Sequence, residues 1–106
     1  MNENSVVKAV IDVLSWNDFR VWRMNAGKVR TAKGHLVSLA PAGVSDVIGI
    51  APSGKFVAVE CKFGKNKATK LQNDFLREVN RRGGYGCVAW GSEDVDWIIK
   101  KEKELE

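Results

Sequence analysis

Apolar residues recur along this chain with two different periods, and the places where the period changes mark the elements. Val6, Val7, Val10, Ile11 and Leu14 follow the three- and four-residue spacing of a helix face, so a first helix is expected, capped by Asn4 or Ser5. Phe19 to Met24 alternates as a strand does, and Lys28 to Leu39 reads as a basic hairpin about Lys33-Gly34. Val47 to Ala51 is short and apolar, Pro52-Ser53-Gly54 carries turn residues, and Phe56 to Lys62 is β-branched, aromatic and small, which predicts two antiparallel strands. Helical spacing returns over Lys67 to Arg82, at Leu71, Phe75, Leu76 and Val79, and Gly83 ends it. Tyr85 to Trp90 is a further strand. Ser92 is then placed to cap a last helix, with Glu93 and Asp94 in its first turn and Trp97, Ile98 and Ile99 inside.

No linker divides this alternation, and 106 residues with 44% hydrophobic content and four tryptophans support one core. The expected fold is therefore a single α/β domain over residues 1–106, with a mixed central sheet flanked by helices. The chain has no 18-residue apolar run and no charged-then-apolar start, so a soluble intracellular protein without a membrane partner is expected. Cys61 and Cys87 fall in predicted interior strands, where a reduced thiol behaves as a small hydrophobe. With no CxxC pair and a single histidine, His35, in a polar loop, a soft-metal site has no ligand set.

The chemistry concentrates in Gly43 to Lys62. A three-residue loop at Pro52-Ser53-Gly54 pairs Ala51 with Lys55, and that register, continued, sets Asp46 opposite Glu60. Directly paired residues share a face, their Cβ atoms roughly 4.5 to 5.5 Å apart. Strand alternation puts Glu60 and Lys62 on one side of the sheet and Val57, Val59 and Cys61 on the other. Two carboxylates and an ammonium thus converge. Hard oxygen donors suit Mg²⁺, with Mn²⁺ as a substitute, better than Zn²⁺. An ammonium beside a metal-bound water can orient it or help deprotonate it, and can stabilise charge growing on a phosphorane-like transition state. The chemistry implied is phosphodiester hydrolysis. A Glu-x-Lys tripeptide alone is weak, since chance supplies about one in a chain of this composition. Its place at the end of an apolar strand, with an aspartate in matching register, is what raises it above a surface ion pair.

These residues, taken together, resemble the PD-(D/E)xK nuclease superfamily, and within it the virus-type replication-repair nuclease (VRR-NUC) domains. The matching pieces are Glu3 opening the first helix, the Gly-x-x-Asp element Gly43-Val44-Ser45-Asp46, the element Glu60-Cys61-Lys62, and Gln72 on the next helix. The Gly-rich turn into the apolar strand, Gly83 to Trp90, completes a match over nearly the whole chain. The family name leads one to expect proline where Ser45 stands, a departure that touches backbone shape rather than chemistry. The resemblance implies a restriction-endonuclease-like core, αβββαβ with a C-terminal helix. It implies Asp46 and Glu60 as metal ligands with the backbone carbonyl of Cys61 and a further contact from Glu3, Lys62 as the water-positioning group, and Gln72 in support.

Net charge is +4, and its distribution matters more than its size. Lys28, Arg30 and Lys33 precede Asp46, and Lys65, Lys67 and Lys70 follow the Glu-x-Lys strand, so two basic clusters bracket one acidic site and could neutralise DNA phosphates. No base-reading motif is present, which points to DNA shape and so to branched, flapped or otherwise structured substrates, among which the resemblance implies four-way junctions. Stand-alone members of the family look like homodimers, and paired cuts need two sites. Trp22 and Trp90 suit a core or subunit seam better than base stacking. A flap- or end-directed nuclease and a non-catalytic basic DNA-binding subunit are the competing expectations.

Overall fold

Asn2, rather than Asn4 or Ser5, begins the first helix: its side chain accepts the Ser5 N–H at 2.9 Å, and α1 runs from Glu3 to Trp16. The computed structural model describes residues 2–24, 28–38 and 41–106. After α1 come β1 (Arg20–Arg23), β2 (Lys28–Arg30), β3 (Leu36–Ser38), β4 (Val47–Ile50), β5 (Phe56–Cys61), α2 (Lys70–Arg81) and β6 (Tyr85–Ala89). A 3₁₀ turn over Ser92–Val95 leads into α3 (Asp96–Glu104).

Strands β1, β4, β5 and β6 form a four-stranded sheet in that order, while β2 and β3 pair only with each other. The β1/β4 and β4/β5 pairs are antiparallel and β5/β6 is parallel, so the sheet is mixed and flanked by helices, as expected. Central β5 is buried on both faces from Val57 to Cys61, which explains its nearly unbroken apolar run. One face of the sheet packs Val47, Val57, Val59 and Cys61 against Val6, Val10 and Leu14 of α1 and Ile98 of α3. On the other, Ala58 packs with Leu76 and Val79 of α2.

That second face is only partly covered. Helix α2 lies over β5 and β6, and the rest of this face carries Trp22 on β1, Ile50 at the end of β4 and Phe56 at the start of β5, each more than two-fifths exposed. The expectation of a core or seam position for Trp22 and Trp90 meets half-exposed rings, and Trp90 donates its indole N–H to the Asn66 carbonyl at 2.8 Å.

Three helix expectations are corrected. Ser92 opens a 3₁₀ turn capped by Gly91 without a side-chain bond, and α3 proper begins at Asp96, because Glu93 and Asp94 complete that tighter turn first. Trp97 is 40% exposed rather than inside, set edge-on to Tyr85 at 6.0 Å between ring centres. Leu71, read as part of the α2 apolar stripe, is instead exposed in the first turn, before the helix face meets the sheet.

The hairpin turn is anchored from the C-terminal helix. Glu102 is buried and accepts the Ser53 N–H and hydroxyl, each at 2.8 Å, and the Tyr85 hydroxyl at 2.6 Å. Burial alone would raise its pKa, but these hydrogen bonds outweigh burial and hold the carboxyl below its ordinary value. The turn that sets the register of β4 and β5 is thus tied to α3 and β6.

Candidate functional site

The register read from the turn is the register observed. Ala51 N–H donates to the Lys55 carbonyl at 2.9 Å, Gly54 takes φ +94° as the left-handed residue of a three-residue loop, and the ladder runs Ile50 with Phe56 to Val47 with Val59. One step further, Asp46 meets Glu60. The two residues bind each other's strand reciprocally: Asp46 N–H donates to Glu60 Oε1 at 3.2 Å, and Cys61 N–H donates to Asp46 Oδ2 at 3.0 Å. The Asp46 carbonyl also accepts the Met24 N–H at 2.6 Å, so backbone and side chain are both held.

Lys62 completes the cluster. Its ammonium stands 3.5 Å from Glu60 Oε2, and its side chain is 14% exposed beside a Glu60 side chain that is 2% exposed. Glu60 is pushed up to about 7, first by burial and then by the Asp46 charge, against the opposing pull of Lys62. A simple structural ion pair would hold its carboxylate ionised at low pH; here desolvation and carboxylate repulsion win over the ammonium. A carboxyl so perturbed beside a second carboxylate is the kind of arrangement found at functional sites.

The loop carrying Asp46 is seated on α2. Gly43 has φ +89°, and a Cβ there would lie 2.7 Å from the Leu71 carbonyl oxygen, so the Gly-x-x-Asp element needs glycine both for its backbone conformation and for the close approach. Ser45, where the resemblance leads one to expect proline, is fully buried, and its hydroxyl has no hydrogen-bond partner among the described residues. A buried hydroxyl left unpaired costs stability, so Ser45→Ala is expected to stabilise the protein by about 1 kcal/mol. For a domain of this size that raises the melting temperature by about 4–8 °C. A melting point unchanged or lowered would mean that the hydroxyl is paired in solution.

Gln72 stands at the third position of α2. Its side-chain oxygen accepts the Thr69 N–H at 2.8 Å while Thr69 Oγ1 accepts the Gln72 N–H at 3.2 Å, a reciprocal capping box. Among the described residues no hydrogen bond joins it to Lys62. The Thr-x-x-Gln pattern at Thr69 was a legible signal for that structural use. Glu3 opens α1, and its charge is the smallest of those that, after burial, raise the Cys61 thiol; Asp46, Glu60 and Cys87 act more strongly. Among the described residues no group of three or more His, Cys, Asp or Glu side chains is close enough to hold a metal ion. Cys61 offers the site its backbone, since its thiol is buried on the opposite face.

Of the basic clusters, Lys65 and Lys67 are exposed in the loop leading from Lys62 to α2, whereas Lys70 is paired with Asp74 at 2.8 Å. Arg30 and Lys33 are exposed on the β2–β3 hairpin, and the side chain of Lys28 lies outside the described residues. A cavity of about 640 Å³ between Phe56, Phe75, Val79 and Gly84 opens at the turn end of β5, away from Asp46 and Glu60. Among the described residues no helix is long and apolar enough to cross a membrane.

No protein-family model matches this chain, and no curated protein is significantly similar to it.

Proposed function

We propose that the chain is a divalent-metal-dependent endodeoxyribonuclease of the PD-(D/E)xK type, with a restriction-endonuclease-like core and a VRR-NUC-like site acting on branched DNA such as four-way junctions. The observation that carries this reading is the cross-strand pair of half-buried Asp46 and buried Glu60 with Lys62 at its edge, on the half-covered face of the sheet. The donor set fits Mg²⁺ or Mn²⁺: carboxylates fixed by backbone N–H groups, one of them holding its proton to about pH 7 because of its burial and then the Asp46 charge. Asp46 and Glu60 would hold the cation, with the Cys61 carbonyl as a third oxygen; bound there, it would supply Lewis-acid stabilisation of a phosphate.

The chain's own groups do the rest. The hydrogen bonds at Asp46 fix the aspartate against the strand edge, and burial keeps bulk water from Glu60. The Lys62 ammonium is placed to orient a water or to meet charge developing on phosphate oxygens. Gln72, engaged in its cap, supports the site through the placement of α2 rather than by contact. The exposed Lys65, Lys67, Arg30 and Lys33 would meet the DNA backbone. A homodimer would bring two such sites to one junction.

The test is cleavage of end-labelled four-way junction, flap, duplex and single-stranded DNA with Mg²⁺, Mn²⁺ or EDTA. Paired symmetric nicks that need metal are the expected result, and Lys62→Ala should slow them by about 100-fold or more. Cutting only at flaps or ends would move the substrate. Tight binding with no cutting in any metal would favour the non-catalytic DNA-binding subunit, the reading that the two-carboxylate count also permits.

A further inference from the structure

The described side chains of the β2–β3 hairpin lie outside the core. Its hydrogen bonds among the described residues are internal: Thr31 N–H to the His35 carbonyl at 2.8 Å, Gly34 N–H to the Thr31 carbonyl at 2.9 Å, and the Arg30 guanidinium to the Gly34 carbonyl at 2.8 Å. Every residue from Arg30 to Val37 is exposed, including Leu36 at 58% and Val37 at 44%. A two-stranded hairpin alone is marginal in water, and apolar side chains left open on it ask for a partner surface.

Two observations say which partner. Residues 19–45 contain no aspartate or glutamate but hold Arg20, Arg23, Lys28, Arg30 and Lys33, so this one stretch carries more positive charge than the net +4 of the whole chain. An acid-free stretch with five cations, three of them (Lys28, Arg30 and Lys33) on the ribbon itself, is matched by a polyanion. The second observation is where the ribbon is rooted. Before it, Met24 donates its N–H to the Asp46 carbonyl; after it, Gly43 is pressed on Leu71 three residues ahead of Asp46. Both ends of the arm therefore leave and rejoin the fold beside the carboxylate pair.

We propose that the β2–β3 ribbon is a DNA-gripping arm that enters the major groove of a duplex flanking the phosphate bound at Asp46 and Glu60, so that the substrate must carry double-stranded DNA beside the cut. The inference rests on the nuclease reading of that pair. Two strands about 4.8 Å apart, with their side chains, make a ribbon on the order of 10 Å wide, which fits a major groove of about 12 Å and not a minor groove of about 6 Å. From Met24 the chain can reach about 30 Å to Lys33, enough to span a duplex from its edge. Arg30, which shares a face with Leu36 across the ribbon, keeps guanidinium donors beyond the one given to Gly34. Leu36 and Val37 offer apolar surface of the kind that meets thymine methyl groups.

The experiment uses the full chain in EDTA, with a labelled duplex, a single strand of the same length and a four-way junction. Binding is followed by fluorescence anisotropy against salt, and major-groove access by methylation of guanine N7 with dimethyl sulfate. The wild-type protein is expected to protect N7 in the duplex beside the branch. Arg30→Gln with Lys33→Gln should remove that protection, weaken duplex binding about tenfold or more, and lower the salt slope by nearly two, since each phosphate contact contributes about 0.9. Single-strand binding should change much less. Guanines that stay fully reactive under bound protein, or equal losses on duplex and single strand, would overturn the arm. A thermal melt separates these outcomes from misfolding, because Arg30 and Lys33 are exposed and belong to neither core cluster. N7 protection lost in the variant, in a protein that never cuts with Mg²⁺, would uphold the arm and reject the nuclease reading.

Discussion

Glu60→Ala and Asp46→Ala are each expected to abolish DNA cleavage, by about a thousandfold or more, while leaving DNA binding intact or tighter. The two side chains hold each other's backbone across β4 and β5, so removing either takes one of two charged oxygen donors from the cation and frees the partner strand. A catalytic metal contributes several kcal/mol of transition-state charge stabilisation, which sets that scale. Binding moves the other way because a negative charge near the phosphate path is lost. Cleavage measured on the junction with Mg²⁺, beside anisotropy in EDTA, separates the two effects. A Glu60→Ala protein that still cuts at the wild-type rate would exclude Glu60 as a ligand and leave the hairpin cluster a structural ion pair.

The second large effect concerns stability against pH in the absence of metal. An unfolded glutamate loses its proton near pH 4.5, while folded Glu60 keeps it to about 7 because burial, and then the Asp46 charge, disfavour the anion. Between those values the folded protein binds more protons than the unfolded chain, so stability falls as pH rises through that window and the deficit is complete above about 7. The size is about 3 kcal/mol at pH 8 relative to pH 4.5 from this group. Glu60 is essentially excluded from solvent, so screening does little to reduce that figure. Glu60→Gln should flatten the profile and leave the variant more stable than the parent at pH 8. Added Mg²⁺ should recover much of the same deficit at pH 8 and do little at pH 4.5, where the proton occupies the carboxyl. Denaturant titrations at the two pH values, with EDTA or Mg²⁺, measure all of this. A wild-type protein indifferent to Mg²⁺ at pH 8, beside a flattened Glu60→Gln profile, would show a perturbed carboxylate that binds no metal.

Local pattern was enough for the elements that carry the site. The turn residues Pro52-Ser53-Gly54 and the alternation of Phe56 to Lys62 together imply the register that brings Asp46 to Glu60, because a two-period pleat permits one in-register arrangement that buries Val57, Val59 and Cys61. The same alternation sends Lys62 to the side of Glu60. Helix spans were legible from apolar spacing, and their caps were not: Asn2 begins α1 and a 3₁₀ turn precedes α3, since several polar residues compete for each terminus and packing chooses among them.

Other features depend on contacts distant in sequence. That Glu102 anchors Ser53 needed the C-terminal helix to reach a turn 49 residues away. Gln72, an apparent site residue on sequence, spends its carbonyl oxygen on a capping box, and Leu71 lies in solvent while its backbone supports Gly43. The partial cover of the sheet, which leaves Trp22, Ile50 and Phe56 open, follows from where α2 crosses and from nothing in β1 or β4 alone. The sequence by itself determined the α/β alternation, the hairpin register and the meeting of Asp46, Glu60 and Lys62, because those rest on short-range turn chemistry and strand periodicity. Tertiary structure alone decided the burial that lifts Glu60, the unpaired Ser45 hydroxyl and the isolation of the basic ribbon, because desolvation and contact depend on what the rest of the chain brings to each place.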